Sequence, residues 1–277
     1  MTSSRNPSSP ENTRNDDRRH DRLSALIHRF ELQVEITIAS AANLLLLAAA
    51  DDHTPTRLVF ARQAGCRFDH QPEESVVFAA TVHWGGSANP LLAALPESVN
   101  QVIDRETEME SLGRLLIAES RNPRCGSETI LGKLGEVLLV KLLRTQIEVG
   151  SSSVGLLGGL ADPRLSRAIV AVHEDPGHLW NNHDLAATAG LSLSRFVEVF
   201  RKTVGQTPMS YVRHWRMVLA RQDIQRGDRI QAVAKRYGYA SSEALGRAFR
   251  REYDTKPTSL RPGHHSETNG SDQRASV

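Results

Sequence analysis

Cysteine is scarce in this chain of 277 residues: there are two, Cys66 and Cys125, and they form no metal-spaced pair such as C-x-x-C. A metal site built on cysteine is therefore excluded, and we expect both as reduced thiols. Long apolar runs are missing too. The longest, Leu44 to Ala50, is of strand or core length, well short of the roughly 18 residues of a membrane span. The first 22 residues are rich in Ser, Asn, Arg and Asp and contain no hydrophobic h-region. They read as a disordered tail rather than a secretory signal, which suits a cytoplasmic protein with no membrane partner. Catalytic signatures are lacking as well. There is no G-x-S-x-G, H-E-x-x-H, P-loop or dinucleotide fingerprint, and no nucleophile–base–orienter set with a local signature. We expect no enzyme, no cofactor and no metal.

What is present is ordinary in bulk, with 39% apolar and 24% charged residues, the composition of a soluble globular protein long enough for two domains. The net charge of +2 conceals an asymmetry. Residues 162–261 carry 17 Lys and Arg against 10 Asp and Glu, whereas residues 1–161 carry 16 against 20. A basic half joined to an acidic half suggests a polyanion-binding module on a separate body.

Hydropathy patterning divides the chain further. From Leu23 to Trp84 it is strand-like: Glu31 to Ile38 alternates with period two, and Asn43–Ala50, Thr56–Ala61 and Ser75–Trp84 are further strand candidates. From Glu106 to Val149 the period is helical. Leu112, Leu115 and Leu116 share a face of one helix, Leu131, Leu134, Leu138 and Leu142 a face of the next, and Arg121 to Gly126 separates the two. Residues 150–161 read as a small-residue linker, residues 162–262 as all-helical, and residues 263–277 as a second disordered tail.

Inside the basic half lies an internal repeat. Phe196-Val-Glu-Val-Phe-Arg-Lys202, continuing to Gly205-Gln-Thr-Pro-Met-Ser210, matches Leu245-Gly-Arg-Ala-Phe-Arg-Arg251, continuing to Asp254-Thr-Lys-Pro-Thr-Ser259, at an offset of 49. Upstream, Ala186 to Gly190 matches Ala234 to Gly238 at an offset of 48. Each copy reads as helix, tight turn, helix, over residues 184–205 and 231–253. Leu185, Ala186 and Ala189 pack the first helix of the first copy, Gly190 makes the turn and Ser192 caps the next helix. Leu193, Phe196, Val199 and Phe200 then face inward, with Ser194, Glu198, Arg201 and Lys202 opposite and Arg195 and Val197 on the flanks. In the second copy Val233 and Ala234 pack, Gly238 turns, and Ser241 or Ser242 caps. Leu245, Ala248 and Phe249 face inward while Glu243, Arg247, Arg250 and Arg251 face outward. A short helix with exposed cations and small polar groups near its N-terminus suits a DNA major groove. Between the copies Tyr211, Trp215, Val218, Leu219 and Gln222 recur at helical spacing up to Gly227, which predicts one long connecting helix.

These segments, with Asp184-Leu-Ala-Ala-Thr-Ala-Gly-Leu-Ser192 and Val233-Ala-Lys-Arg-Tyr-Gly-Tyr239, make the region from Leu165 to Pro262 resemble the DNA-binding domain of the AraC/XylS regulators. The resemblance implies a transcription regulator whose paired units read adjacent major grooves near promoters. Carried onto this chain, the base-facing positions are Ser194, Val197 and Glu198, then Ser242, Glu243 and Arg247. Arg201, Lys202, Arg250 and Arg251 suit phosphates, and Ser192, Arg195 and Ser241 complete the expected DNA-binding set. Glu198 is acidic where a cation or amide is commoner, and Val197 is apolar; glutamate can accept from cytosine N4 and valine can touch a thymine methyl.

Residues 23–149 are similar to the cupin-like sensor half found in part of that family, best over Phe78 to Pro96, although the strand region is shorter than a complete cupin barrel. No His-x-His pair with a following Glu and His is present; His70, Glu73 and Glu74 lack the spacing of a metal site, and His83 beside Trp84 reads as structural or pocket-lining. The expected architecture is α+β: a β-rich cupin-like domain and helices, then an all-α domain with two helix-turn-helix units. Double-stranded promoter DNA is the expected partner; RNA polymerase, a small-molecule effector of unknown site and a homodimer through the leucine-rich helices remain open. Two alternatives stand beside this reading: an enzyme with a cupin-like catalytic half, and a DNA-binding protein without regulatory output. The charge asymmetry yields a first test. The logarithm of the affinity of the full chain for duplex DNA should fall linearly with the logarithm of salt concentration as phosphate counterions are released. A folded protein that fails to bind DNA at low salt would contradict it.

Overall fold

The computed structural model describes residues 23–51, 53–65, 72–85, 89–150 and 154–260. Both expected tails, Cys66 and His70 lie outside these residues. Two compact units emerge. The described residues up to Glu174 and Asn181–Met209 make the first; Asp175–Trp180 and the described residues from Ser210 onward make the second. The fold class is mixed α+β, as the patterning implied.

The first unit opens with a helix, α1 (Ser24–Phe30), where strand-like structure was expected. Leu23, Leu26 and Phe30 fall three and four residues apart and all are buried, so the helical period prevails there. A five-stranded antiparallel sheet follows: β1 (Gln33–Ile36), β2 (Leu44–Ala49), β3 (Pro55–Ala61), β4 (Glu74–His83) and β5 (Ser98–Val102), in the order β1-β4-β2-β3-β5. β2 is therefore central, which is why Leu44, Leu45, Leu46 and Leu47 are all buried rather than alternating. β5, unpredicted, pairs with β3 from Arg57↔Val102 to Ala61↔Ser98 and buries only Val99 of its five residues. A short helix, α2 (Pro90–Ala94), was also unpredicted. Asn89 caps it, its side-chain oxygen accepting from the N–H groups of Leu91 and Leu92 ahead of Pro90 in the first turn.

Two longer helices, α3 (Glu108–Arg121) and α4 (Ser127–Val149), pack on each other. α3 covers β3 and β4, and α4 lies on β1. The buried side of α3 is Glu110, Gly113, Leu116 and Ile117, so Leu115, expected inside, is 54% exposed, and Leu112 is half-buried. On α4 Leu131, Leu138 and Leu142 are buried as expected, with Leu134 at the margin. Glycine lets α4 settle onto β1: a Cβ at Gly132 would come within 2.9 Å of the Val34 carbonyl oxygen, and one at Gly135 within 2.8 Å of Val34 Cγ1.

Residues 156–161, expected as linker, form a helix, α5 (Leu156–Ala161), with Leu156, Leu157 and Leu160 buried. Its glycines leave one side bare of side chains, and it touches α2, α4 and α6 (Pro163–Glu174). α6 also contacts α1 and buries His173, whose imidazole is pushed down to about 3 by desolvation and is neutral at physiological pH. No helix among the described residues is long and apolar enough to cross a bilayer.

The glycine contact on β1 can be tested directly. Gly132→Ala must displace backbone rather than a pliable side chain, and should destabilise the first unit by about 1–3 kcal/mol. Gly246, which has open space around its missing Cβ, is the control: Gly246→Ala should be neutral or stabilising by up to about 1 kcal/mol. Denaturant titration of both variants reads the difference; equal stabilities would remove the argument.

Candidate nucleic-acid interface

Two helix-turn-helix motifs carry the expected DNA-binding residues, one in each unit. In the first unit α7 (Asn182–Ala189) begins with a reciprocal cap. The Asn181 side chain accepts from the backbone N–H of His183 at 2.9 Å and of Asp184 at 3.0 Å, and the Asp184 carboxylate accepts from the Asn181 N–H. The helix stops at Gly190, whose φ of 67° is the left-handed conformation glycine adopts without penalty. α8 (Leu193–Val204) follows. Ser192 stands at its N-cap position but makes no side-chain hydrogen bond there, contrary to expectation. The helix is anchored instead by Phe196, Phe200 and Val204, all buried, the two rings packing tilted at 5.5 Å. Leu193 and Val199, also expected inside, are half-buried because they flank that stripe.

α8 rests on α7 and α5. The approach to α5 is close: a Cβ at Gly159 would meet Val204 Cγ2 at 2.9 Å and Ile169 Cδ1 of α6 at 2.7 Å. The Gly155 N–H also donates to the Thr203 carbonyl. On the opposite side of α8 Ser194, Arg195, Glu198, Arg201 and Lys202 are exposed, as is Ser192, with Val197 half-buried. Arg195 and Glu198 form an ion pair at 3.0 Å.

The second unit is organised by α9 (Pro208–Gln225), the long helix predicted between the repeats. Tyr211, Trp215, Val218 and Leu219 are buried as expected, and Gly227, at φ 97°, closes the run. Four side-chain ties radiate from α9. Arg216 donates to the carbonyls of Pro176 at 2.7 Å and His178 at 2.6 Å. His214 Nδ1 lies 2.6 Å from the Glu252 carboxylate, and Arg221 lies over the Tyr253 ring at 5.1 Å. Asp223, buried, accepts from the Tyr237 hydroxyl at 2.6 Å and from Arg236, whose guanidinium also meets Asp228. These carboxylates raise the Arg236 pKa, so its charge is permanent.

The ties from His214, Arg221 and Asp223 hold α10 (Ile230–Arg236) and α11 (Ser242–Tyr253), the second motif. Val233 and Ala234 are buried, and Gly238 turns at φ 73°. Ser241, not Ser242, is the cap: its hydroxyl oxygen accepts from the Ala244 N–H at 3.2 Å. The same hydroxyl bonds the Glu243 carboxylate, which with a backbone bond and Arg247 nearby keeps that acid below its ordinary pKa. Leu245 and Phe249 are buried and Ala248 half-buried; Ser241, Glu243, Arg247, Arg250 and Arg251 are exposed and Ser242 half-buried.

The sequence reading missed one surface. A groove of about 630 Å³ runs beside the start of α11, lined among others by Arg229, Lys235, Tyr239 and Ser241. Arg229 lies outside the matched repeat segments and Lys235 within one of them, and their charge at either end of α10 was a usable signal.

A cupin-type sheet half followed by two helix-turn-helix motifs defines the class, and comparison with known proteins narrows it. Residues 185–262 match the family model of a helix-turn-helix domain, and residues 33–148 that of a cupin. The chain is 34% identical to a putative AraC-like transcription regulator of Streptomyces antibioticus, over 57% of this chain and 49% of that protein. It is 28% identical to the RCS-specific HTH-type transcriptional activator RclR of Escherichia coli (strain K12), over 70% and 71% of the two chains. The solved DNA-binding domain of AdpA in complex with a target DNA is similar at 28% identity, covering 36% of this chain and 90% of that one, with a TM-score of 0.34. The chain thus carries a cupin domain ahead of a helix-turn-helix domain and is similar to AraC-like transcription regulators. It spans about half the length of the Streptomyces relatives it matches.

The unequal caps make a testable contrast between two positions that look alike in sequence. Ser241→Ala should cost about 1 kcal/mol of stability by leaving a first-turn N–H without its acceptor. Ser192→Ala removes no such bond and should change stability by less than about 0.5 kcal/mol. Thermal unfolding of the two variants measures this, and equal losses would contradict the assigned caps.

Proposed function

We propose that the chain is a sequence-specific transcription regulator of the AraC type, a DNA-reading protein rather than an enzyme, whose α8 and α11 each enter a major groove of promoter DNA. The observation that carries this reading is the division of both helices into a buried apolar side and an exposed side bearing cations and small polar groups. Ser194, Val197 and Glu198 face the bases from α8, and Ser242, Glu243 and Arg247 from α11. Arg201, Lys202, Arg250 and Arg251 meet phosphates, and Arg229 and Lys235 extend that contact along the groove beside α11. Support also comes from the names of the relatives, which are transcription regulators.

Arg247 is the position that separates base reading from plain charge. It is exposed in the middle of α11, one turn before Arg250 and Arg251. There a guanidinium can bond guanine O6 and N7 together, and its loss costs about 1–3 kcal/mol at one base pair. Arg247→Ala should therefore flatten the preference of the full chain among operator variants at one position, measured by binding at fixed salt. Arg251→Ala should weaken binding to all sequences alike. Equal, sequence-independent losses in both variants would place the reading side of α11 elsewhere.

A further inference from the structure

The segment Asp175–Trp180 lies in the chain between α6 and α7, both helices of the first unit, yet it packs with the residues from Ser210 onward. Its own bonds stiffen it. The His178 N–H donates to the Asp175 side chain at 3.2 Å and the Trp180 indole N–H to the Asp175 carbonyl at 2.8 Å, while the two rings meet edge-on at 4.4 Å. So folded, the segment offers the carbonyls of Pro176 and His178 together, and Arg216 of α9 takes both with one guanidinium. Arg216 is half-buried, and that burial pulls its pKa down. A guanidinium in such a place is tolerated when its N–H groups are bonded.

The segment rests on the turn between α10 and α11. A Cβ at Gly177 would run into the Arg236 carbonyl oxygen, and one at Gly238 would come within 3.0 Å of the Gly177 carbonyl oxygen. Both contacts are with backbone, so neither is relieved by rotating a side chain. The Arg216 guanidinium reaches the same turn, 3.6 Å from where a Cβ of Gly238 would stand. From Gly238 the chain runs straight on to Ser241, the cap of α11. The ties from α9 to α11 itself, His214 to Glu252 and Arg221 to Tyr253, both end in the last turn of that helix. The first half of α11, with Ser242, Glu243 and Arg247, is aligned by buried Leu245 and by the turn that precedes it.

We infer that Asp175–Trp180 is a strap that holds the α10–α11 turn, with Arg216 as its positioning residue, and that it sets the angle at which α11 presents Ser242, Glu243 and Arg247. The second half of that statement rests on the proposed reading of bases by α11. Two substitutions act on the strap by opposite means. Arg216→Gln removes the fork that draws the strap onto α9, whereas Gly177→Ala pushes the strap off the Arg236 carbonyl without altering any charge. Leu179, 76% exposed on the same segment, provides the control.

The test uses the full chain in two measurements. Without DNA, hydrogen exchange should be at least about tenfold faster at residues 177–180 and 237–241 in Arg216→Gln and Gly177→Ala than in the wild type, and unchanged in α8 and in Leu179→Ala. With DNA, each protein selects sites from a random duplex library at one salt concentration, and Arg247→Ala marks the positions read by α11. At those positions both strap variants should lower the ratio between best and worst base by about tenfold, leaving the other positions within about twofold. A role in stability alone would weaken all positions alike. Should Gly177→Ala fail to fold, Arg216→Gln decides. Unchanged exchange at residues 237–241 would overturn the strap. Uniform flattening at every position, or the same loss in Leu179→Ala, would overturn the positioning of α11. A wild-type chain without sequence preference would overturn the base-reading proposal, and the exchange measurement would still decide the strap.

Discussion

A helix of twelve residues with cations along one side does not persist in water by itself, because nucleation is unfavourable and helices below about 12–15 residues are marginal. α8 and α11 are both of that length. What holds them is a pair of buried side chains one turn apart, Phe196 with Phe200 and Leu245 with Phe249. At 3.6 residues per turn, committing those positions to the interior forces residues 194, 198, 201 and 202, and residues 243, 247, 250 and 251, toward water. The cationic side is thus a geometric consequence of the apolar one. A substitution that loosens Phe200 or Phe249 would disorder the charges before it altered any of them.

The two anchors are supported by different physics. Beneath α8 lie small residues and close backbone approach: α5 contributes Leu156, Leu157 and Leu160 to the core while Gly159 removes the side chain that would hold Val204 away. Around α11 the support is polar and runs from α9, through His214 to Glu252, Arg221 to Tyr253, and Asp223 to Tyr237 and Arg236. A buried carboxylate such as Asp223 is tolerable because it is paired with the Arg236 guanidinium and accepts from the Tyr237 hydroxyl. Small-residue packing is sensitive to added volume, and a buried polar network to the loss of one partner. Two motifs that are near copies in sequence therefore differ in how they fail.

The same contrast explains what could be read from the sequence. The repeat exposed both motifs because buried aromatics, turn glycines and arginines recur at nearly constant spacing, and the long helix α9 was visible from Tyr211, Trp215 and Leu219. Supports outside the repeat were not visible. Leu156-Leu-Gly-Gly-Leu160 reads as a linker by composition, since glycine disfavours helix, yet tertiary packing makes it one. β5 escaped notice because a short edge strand buries one residue, Val99, and shows no alternation. The misplacement of Leu115 has a similar origin: three leucines suggest a face, but Gly113 and the ion-paired Glu110 take the inner position against β3 and β4. α2 was the recoverable omission, for Asn89-Pro90 ahead of an apolar run is a helix-start signal.

If α8 and α11 read bases as proposed, the acidic residues on their exposed sides bear on discrimination rather than on affinity. Glu198 is paired with Arg195 in an exposed contact, which contributes little to stability and is cheaply broken when another partner offers itself. Glu243 is held by the Ser241 hydroxyl and lies near Arg247, with its carboxyl kept ionised well below neutral pH. Under the DNA-reading proposal each carboxylate repels phosphate and the acceptor atoms of guanine and thymine, and is satisfied only by an exocyclic amino group. Such a charge weakens binding to most sequences and spares those with cytosine or adenine at that step, a repulsive contribution to specificity. The exposed sides of α8 and α11 depart from uniform basicity at Glu198 and Glu243, which lie beside Arg195 and Arg247 respectively. On that proposal the chain would give up non-specific affinity, which the surrounding arginines would supply, in exchange for a larger ratio between the right site and the wrong one.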